Sequence, residues 1–268
     1  MKKQVSRLNI LTNIFSDKYF ENVERQIDVA RQKRFNGPFD NIFLSVLHTR
    51  NSGRNKLKLL DKYLNQIFEH PSISKKKRSH IEKELVGTNQ LNMLFEISVT
   101  GNILSFLGIN KTKLHLKTTA KRNIDVAAQL VDRDVFLEIS VLSESKGDIN
   151  ERIRMEKTGK SSWVGTRNMK HDTSRLRLKI FEKSDQFKSA SPNVLILSKY
   201  DFFPTEVEIA EVFKHNCFLK IGLVVQFYRD LPKLFQVKNM NPSCQLTTQE
   251  VALLKEIFTG DTYKPVSY

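Results

Sequence analysis

Apolar positions recur with two different periods along this chain, and the change of period divides it. Up to about Leu85 the spacing is helical: Tyr19, Phe20, Val23, Ile27 and Ala30 form one series, and Leu57, Leu60, Leu64 and Ile67 another. Asn36-Gly37-Pro38, Asn51-Ser52-Gly53 and His70-Pro71 break the series between helices. From Thr88 a helix apolar almost all round is predicted to run to Leu107 and stop at Gly108. Strands are then predicted over 114–117, 124–131 and 135–142, a helix over 173–188 and a strand over 193–197. A short helix over 205–213, strands over 219–227 and 234–237, and a helix from Thr247 or Thr248 to Phe258 complete the series. The expected fold is α/β (α+β): a helical region over 1–87, then a mixed sheet covered by helices over 88–268.

The stretch 124–142 carries the most chemical information. On its first strand Ile124, Val126, Ala128 and Leu130 alternate with Asp125, Ala127, Gln129 and Val131. On its second, Val135, Leu137, Ile139 and Val141 alternate with Phe136, Glu138, Ser140 and Leu142. Placing both apolar sets on one face pairs Ile124 with Val141 and Leu130 with Val135, around a tight turn at Asp132 and Arg133. Asp125, Gln129, Glu138 and Ser140 then share the other face, with Asp125 and Glu138 diagonal neighbours roughly 7–8 Å apart at Cα. Two carboxylates so placed can converge on one magnesium or manganese ion. The plainer alternative is a solvated outer face, but Phe136, Leu142, Ala127 and Val131 make that face look covered. On the preceding helix Asn92, Glu96 and Thr100 fall at i, i+4 and i+8, and Glu96 is the one acid of that polar stripe.

Composition narrows the setting. The formal net charge of +15 attracts polyanions, nucleic acid first among them, but carries no sequence specificity. Two cysteines, Cys217 and Cys244, without metal spacing, argue against a disulfide framework or a structural zinc and favour a cytoplasmic setting. No apolar run is long enough to span a bilayer, and Arg7, Asn9, Asn13 and Asp17 interrupt the first apolar patch, so neither a membrane span nor a signal peptide is expected. The basic run Lys75–Arg78 reads as a solvated helix start. The basic segment 147–170 with Trp163 reads either as a loop packed on the core or as an insert that tracks a nucleic-acid backbone.

A helix bearing a glutamate, a strand bearing an aspartate and a following strand bearing E-x-K is the pattern of the PD-(D/E)XK nuclease superfamily. This chain resembles it through Phe95-Glu96-Ile97, Asn123-Ile124-Asp125 and Leu137-Glu138-Ile139-Ser140, over 88–197. The resemblance implies an α-β-β-β-α-β core and magnesium-dependent hydrolysis of phosphodiester bonds, chiefly in DNA, and allows a homodimer. It implies Asp125 and Glu138 as metal ligands and Glu96 as their support. Ser140 stands where the family's lysine belongs. Lys183 and Gln186, on the helix expected over 173–188, are the candidates to replace it, whereas Lys179 and Lys188 read as a solvated coat. A nuclease fold that binds nucleic acid without cleaving it is the alternative, and an interaction protein that binds a partner through its helical part is a third.

Overall fold

The computed structural model describes residues 10–32, 53–87, 89–117, 123–142, 169–184, 186–187, 190–199, 206–214, 220–228, 231–237 and 241–259. The segment 147–168 with Trp163, the Thr88 cap and Lys188 lie outside these residues.

Among the described residues five helices come first: α1 (Leu11–Ile14), α2 (Asp17–Gln32), α3 (Gly53–Glu69), α4 (Lys75–Val86) and α5 (Gln90–Leu107). The series Leu57, Leu60, Leu64 and Ile67 is buried along α3, as its spacing requires. α3 lies tight against α5, because a Cβ at Gly101 would stand 2.2 Å from Cγ of Tyr63. Only glycine allows that approach. α4 starts at Ser74, whose hydroxyl accepts the Lys77 N–H. α5 ends at Gly108, which has φ 81°.

The sheet follows as β1 (Thr112–Lys117), β2 (Asn123–Leu130) and β3 (Arg133–Val141), then α6 (Met169–Ser184) and β4 (Asn193–Lys199). This is the expected α-β-β-β-α-β order. Next come α7 (Glu206–Phe213), β5 (Leu223–Tyr228), β6 (Leu231–Gln236) and α8 (Thr248–Thr259). Among the described residues the six strands lie side by side in chain order. β3, β4 and β5 are parallel, and β1–β2, β2–β3 and β5–β6 are antiparallel. β3 and β4, in the centre, are buried on both faces, which is why they read as nearly continuous apolar runs.

One apolar cluster fills the face toward α1–α5 and α8. It joins Leu11, Leu64 and Leu94 to Val126, Leu137, Ile196 and Phe258 without a gap. A smaller cluster fills the other face, where Leu176 and Ile180 of α6 and Ile209 and Val212 of α7 cover Ala127, Phe136, Leu195 and Val224. No helix among the described residues is long and apolar enough to cross a membrane.

Two details of the hairpin differ from the expectation. Leu130 pairs with Arg133 and Val126 with Leu137, so the register is offset by two residues and the turn is Val131-Asp132. An even offset keeps every side chain on its face, which is why burial alone could not distinguish the two registers. Val131 enters the turn at φ 53°. Arg133 is drawn into the strand by Glu250, with Nε–Oε1 at 2.6 Å and Nη2–Oε2 at 2.8 Å. Ile124 is the second difference, since it packs into the α6-side cluster, away from Val126. The alternation therefore breaks at Asp125, beside His115 of β1, which has φ 51°.

Candidate metal centre

The break in alternation builds the site. Continuing the β2–β3 pairing by one residue sets Asp125 directly opposite Glu138, closer than the diagonal relation expected. Asp125 Oδ2 accepts the backbone N–H of Ile139 at 2.8 Å, so a side chain takes the place of a ladder bond. On its other side Asp125 Oδ1 lies 3.9 Å from Nδ1 of His115, and Nε2 of that ring lies 3.9 Å from Glu96 Oε1. One donor atom each from Glu96, His115 and Asp125 fall within 4.8 Å of one another. Lys77 Nζ approaches Glu96 Oε1 at 3.6 Å from α4.

Glu138 occupies the α6 side of the same strand pair and is 0% exposed. The Lys183 ammonium, projecting from the last turn of α6, bonds to its Oε1. Its Oε2 is buried with no hydrogen-bond partner. A fully buried carboxylate oxygen without a partner is costly, and a cation is the partner that suits it.

The electrostatics follow from this crowding. Burial first, then Glu138 and Glu96, hold the Asp125 carboxyl well above the usual carboxylate range, against the pull of Lys183 and the Ile139 N–H. Burial likewise raises Glu138, tempered by Lys183. At Lys183 burial works against the charge, but Glu138 and Asp125 outweigh it and raise the ammonium. Burial, with Lys77 beside it, pushes the His115 imidazole down to about 4, so a lone pair is free near neutral pH.

Of the residues singled out from sequence, Glu96, Asp125, Glu138 and Lys183 come together. Ser140 is buried two positions beyond Glu138, opposite Leu197, and brings no charge. Gln129 does not join them. It is exposed near the turn, opposite Asp134. Gln186 stands in the turn beyond α6, which ends at Ser184, and its Nε2 donates to the Asn123 carbonyl at 3.0 Å. The stripe on α5 runs from solvent into the core: Asn92 is exposed, Glu96 half-buried and Thr100 buried. Two members were not anticipated. Lys77 belongs to a basic run read as solvated, and His115 lies between Leu114 and Leu116 in β1. His115 becomes conspicuous only once the β1–β2 pairing of Leu114 with Val126 places it opposite Asp125.

No family model, curated protein or solved structure matches this chain.

The donor set fits a divalent ion. Two carboxylates, Glu96 and Asp125, and the neutral imidazole of His115 offer one donor atom each, with Glu138 across the strand pair, and the half-buried Lys183 and Lys77 offset part of the negative charge.

Proposed function

We propose that the chain is a metal-dependent nuclease that hydrolyses phosphodiester bonds in nucleic acid, DNA foremost. The observation that carries this reading is the Lys183 ammonium on Glu138 at a site that also holds Asp125 and Glu96. An ammonium beside two acids supports phosphodiester hydrolysis because it can offset charge growing on the phosphate, and α6 brings Lys183 to Glu138 where Ser140 brings no charge.

Asp125 and Glu138 would hold a magnesium or manganese ion, with Glu96 in support. Such an ion supplies positive charge to the phosphate and acidifies water at the site. Lys183 donates to a non-bridging phosphate oxygen, where negative charge grows as water bonds to phosphorus and the bond to one bridging oxygen breaks. The products are a phosphomonoester and a hydroxyl. The Ile139 N–H fixes Asp125, and burial fixes Glu138, so neither acid must reorganise during the step. The formal net charge of +15 supports a polyanionic substrate.

A second reading rests on Ser140: a nuclease fold that binds nucleic acid without cutting it. Purified protein incubated with plasmid, linear and single-stranded DNA plus magnesium or manganese, beside Asp125→Ala, tests both. Cleavage by the parent alone supports the proposal. Equal cleavage by both proteins would mark a contaminant and end it. Salt-sensitive binding with no cleavage by either would establish the second reading instead.

A further inference from the structure

Resting on that reading, we infer that Glu96, His115 and Asp125 form a nitrogen-containing ligand set that selects a manganese-class transition ion over magnesium. The three side chains come from α5, β1 and β2, and each offers one donor atom within 4.8 Å of the others. Donors around one ion with bonds of about 2.1 Å stand about 3 Å apart when adjacent and about 4.2 Å when opposite. Either ring nitrogen of His115 has one acid at such a distance, Nδ1 with Asp125 and Nε2 with Glu96, each at 3.9 Å, and with a single nitrogen as donor the three atoms stay within 4.8 Å.

An independent feature points to the same ligand. Glu138, 0% exposed, keeps Oε2 without a hydrogen-bond partner, directly across the strand pair from Asp125. Lys183 holds only its other oxygen. A cation at Asp125 would answer that vacancy, which Lys77, engaged at Glu96 from the opposite face, does not.

The nitrogen donor decides which cation. Magnesium takes oxygen ligands and keeps its waters, so an imidazole adds little to its binding. Manganese stands at the start of the first-row series along which affinity for such sites rises, and imidazole suits its later members, iron, nickel, copper and zinc. A site of carboxylates alone would discriminate less. His115 thus acts as a specificity-determining ligand for the ion.

The test uses the full chain, stripped with chelator and without nucleic acid. Calorimetric titration with manganese and magnesium is paired with pulsed electron paramagnetic resonance of the manganese complex. We expect manganese to bind at least about tenfold tighter than magnesium, with modulation from one directly coordinated ¹⁴N. His115→Ala and His115→Gln should both lose the nitrogen signal and most of the preference. Absence of the nitrogen signal in the parent overturns the inference, as does its survival in either variant. Asp125→Ala separates the two levels. If it abolishes manganese binding while the parent shows no nitrogen coupling, the ligand set is wrong and the nuclease reading stands. If Asp125→Ala binds manganese as well as the parent does, both fall.

Discussion

Asp125 Oδ2 accepts the backbone N–H of Ile139 at 2.8 Å, which fastens the aspartate to the strand that carries its partner acid, Glu138. Asp125→Asn keeps an oxygen for that N–H and removes one of three converging negative charges. In metal-free protein we expect stability to rise by about 1 kcal/mol, roughly 2–4 °C in thermal midpoint. The difference should depend on pH. Burial, Glu138 and Glu96 raise the Asp125 pKa above its unfolded value, so the native state holds a proton that the unfolded chain releases. Stability of the parent therefore falls as pH climbs from the ordinary carboxylate range toward the raised value, and Glu138 acts in the same direction. The advantage of Asp125→Asn should be least in acid and widen upward. Denaturant midpoints of the two proteins across pH check this, and parallel curves would count against the crowding.

Lys183→Met keeps the length of the side chain and deletes the charge that faces Glu138. A buried carboxylate stripped of its cation costs about 3 kcal/mol, so the metal-free variant should unfold earlier at neutral pH. Saturating manganese should restore much of the loss by binding the native state. Cleavage should drop at least about a hundredfold while manganese affinity stays within a few fold. Thermal melts with and without the ion, beside a plasmid-nicking assay, separate the two effects. A variant that cleaves as fast as the parent would remove Lys183 from the chemistry.

Arg133 and Glu250 form the clearest purely structural ion pair. Glu250 is 1% exposed and closes a capping box on α8, accepting the Thr247 N–H at 2.7 Å while its own N–H reaches Thr247 Oγ1 at 3.2 Å. Arg133→Ala should cost about 2 kcal/mol, discounted because the arginine is partly exposed. Metal affinity should not change, which urea unfolding and calorimetry together will show.

Gly101→Ala should destabilise the protein by about 1–3 kcal/mol, because the new Cβ meets the Tyr63 ring at 2.2 Å. Tyr63 is buried and its hydroxyl donates to Asn102 Oδ1 at 3.0 Å, so the ring has little freedom to retreat. Truncating the ring as well, in Tyr63→Leu with Gly101→Ala, should recover part of the loss in urea unfolding. Additive losses would show that the clash lies elsewhere.

Hydrophobic period alone was enough to place α3 and α5, the β2–β3 hairpin and the α-β-β-β-α-β order, because burying a stripe or a face is a local demand that each segment writes into itself. The pair Asp125 and Glu138 was legible in part: an even register offset leaves Glu138 on the face alternation gives it, whereas the break between Ile124 and Val126 that redirects Asp125 is not written in the pattern. Tertiary structure alone decided that they stand opposite and not diagonal, since Arg133 is claimed by Glu250 some 117 residues away. It likewise brought the Lys183 ammonium to Glu138, and set Gln186 on the Asn123 carbonyl and Gln129 opposite Asp134. His115 and Lys77 were invisible for a related reason. A cluster drawn from α4, α5, β1 and β2 has no sequence spacing of its own, and only packing brings such residues together.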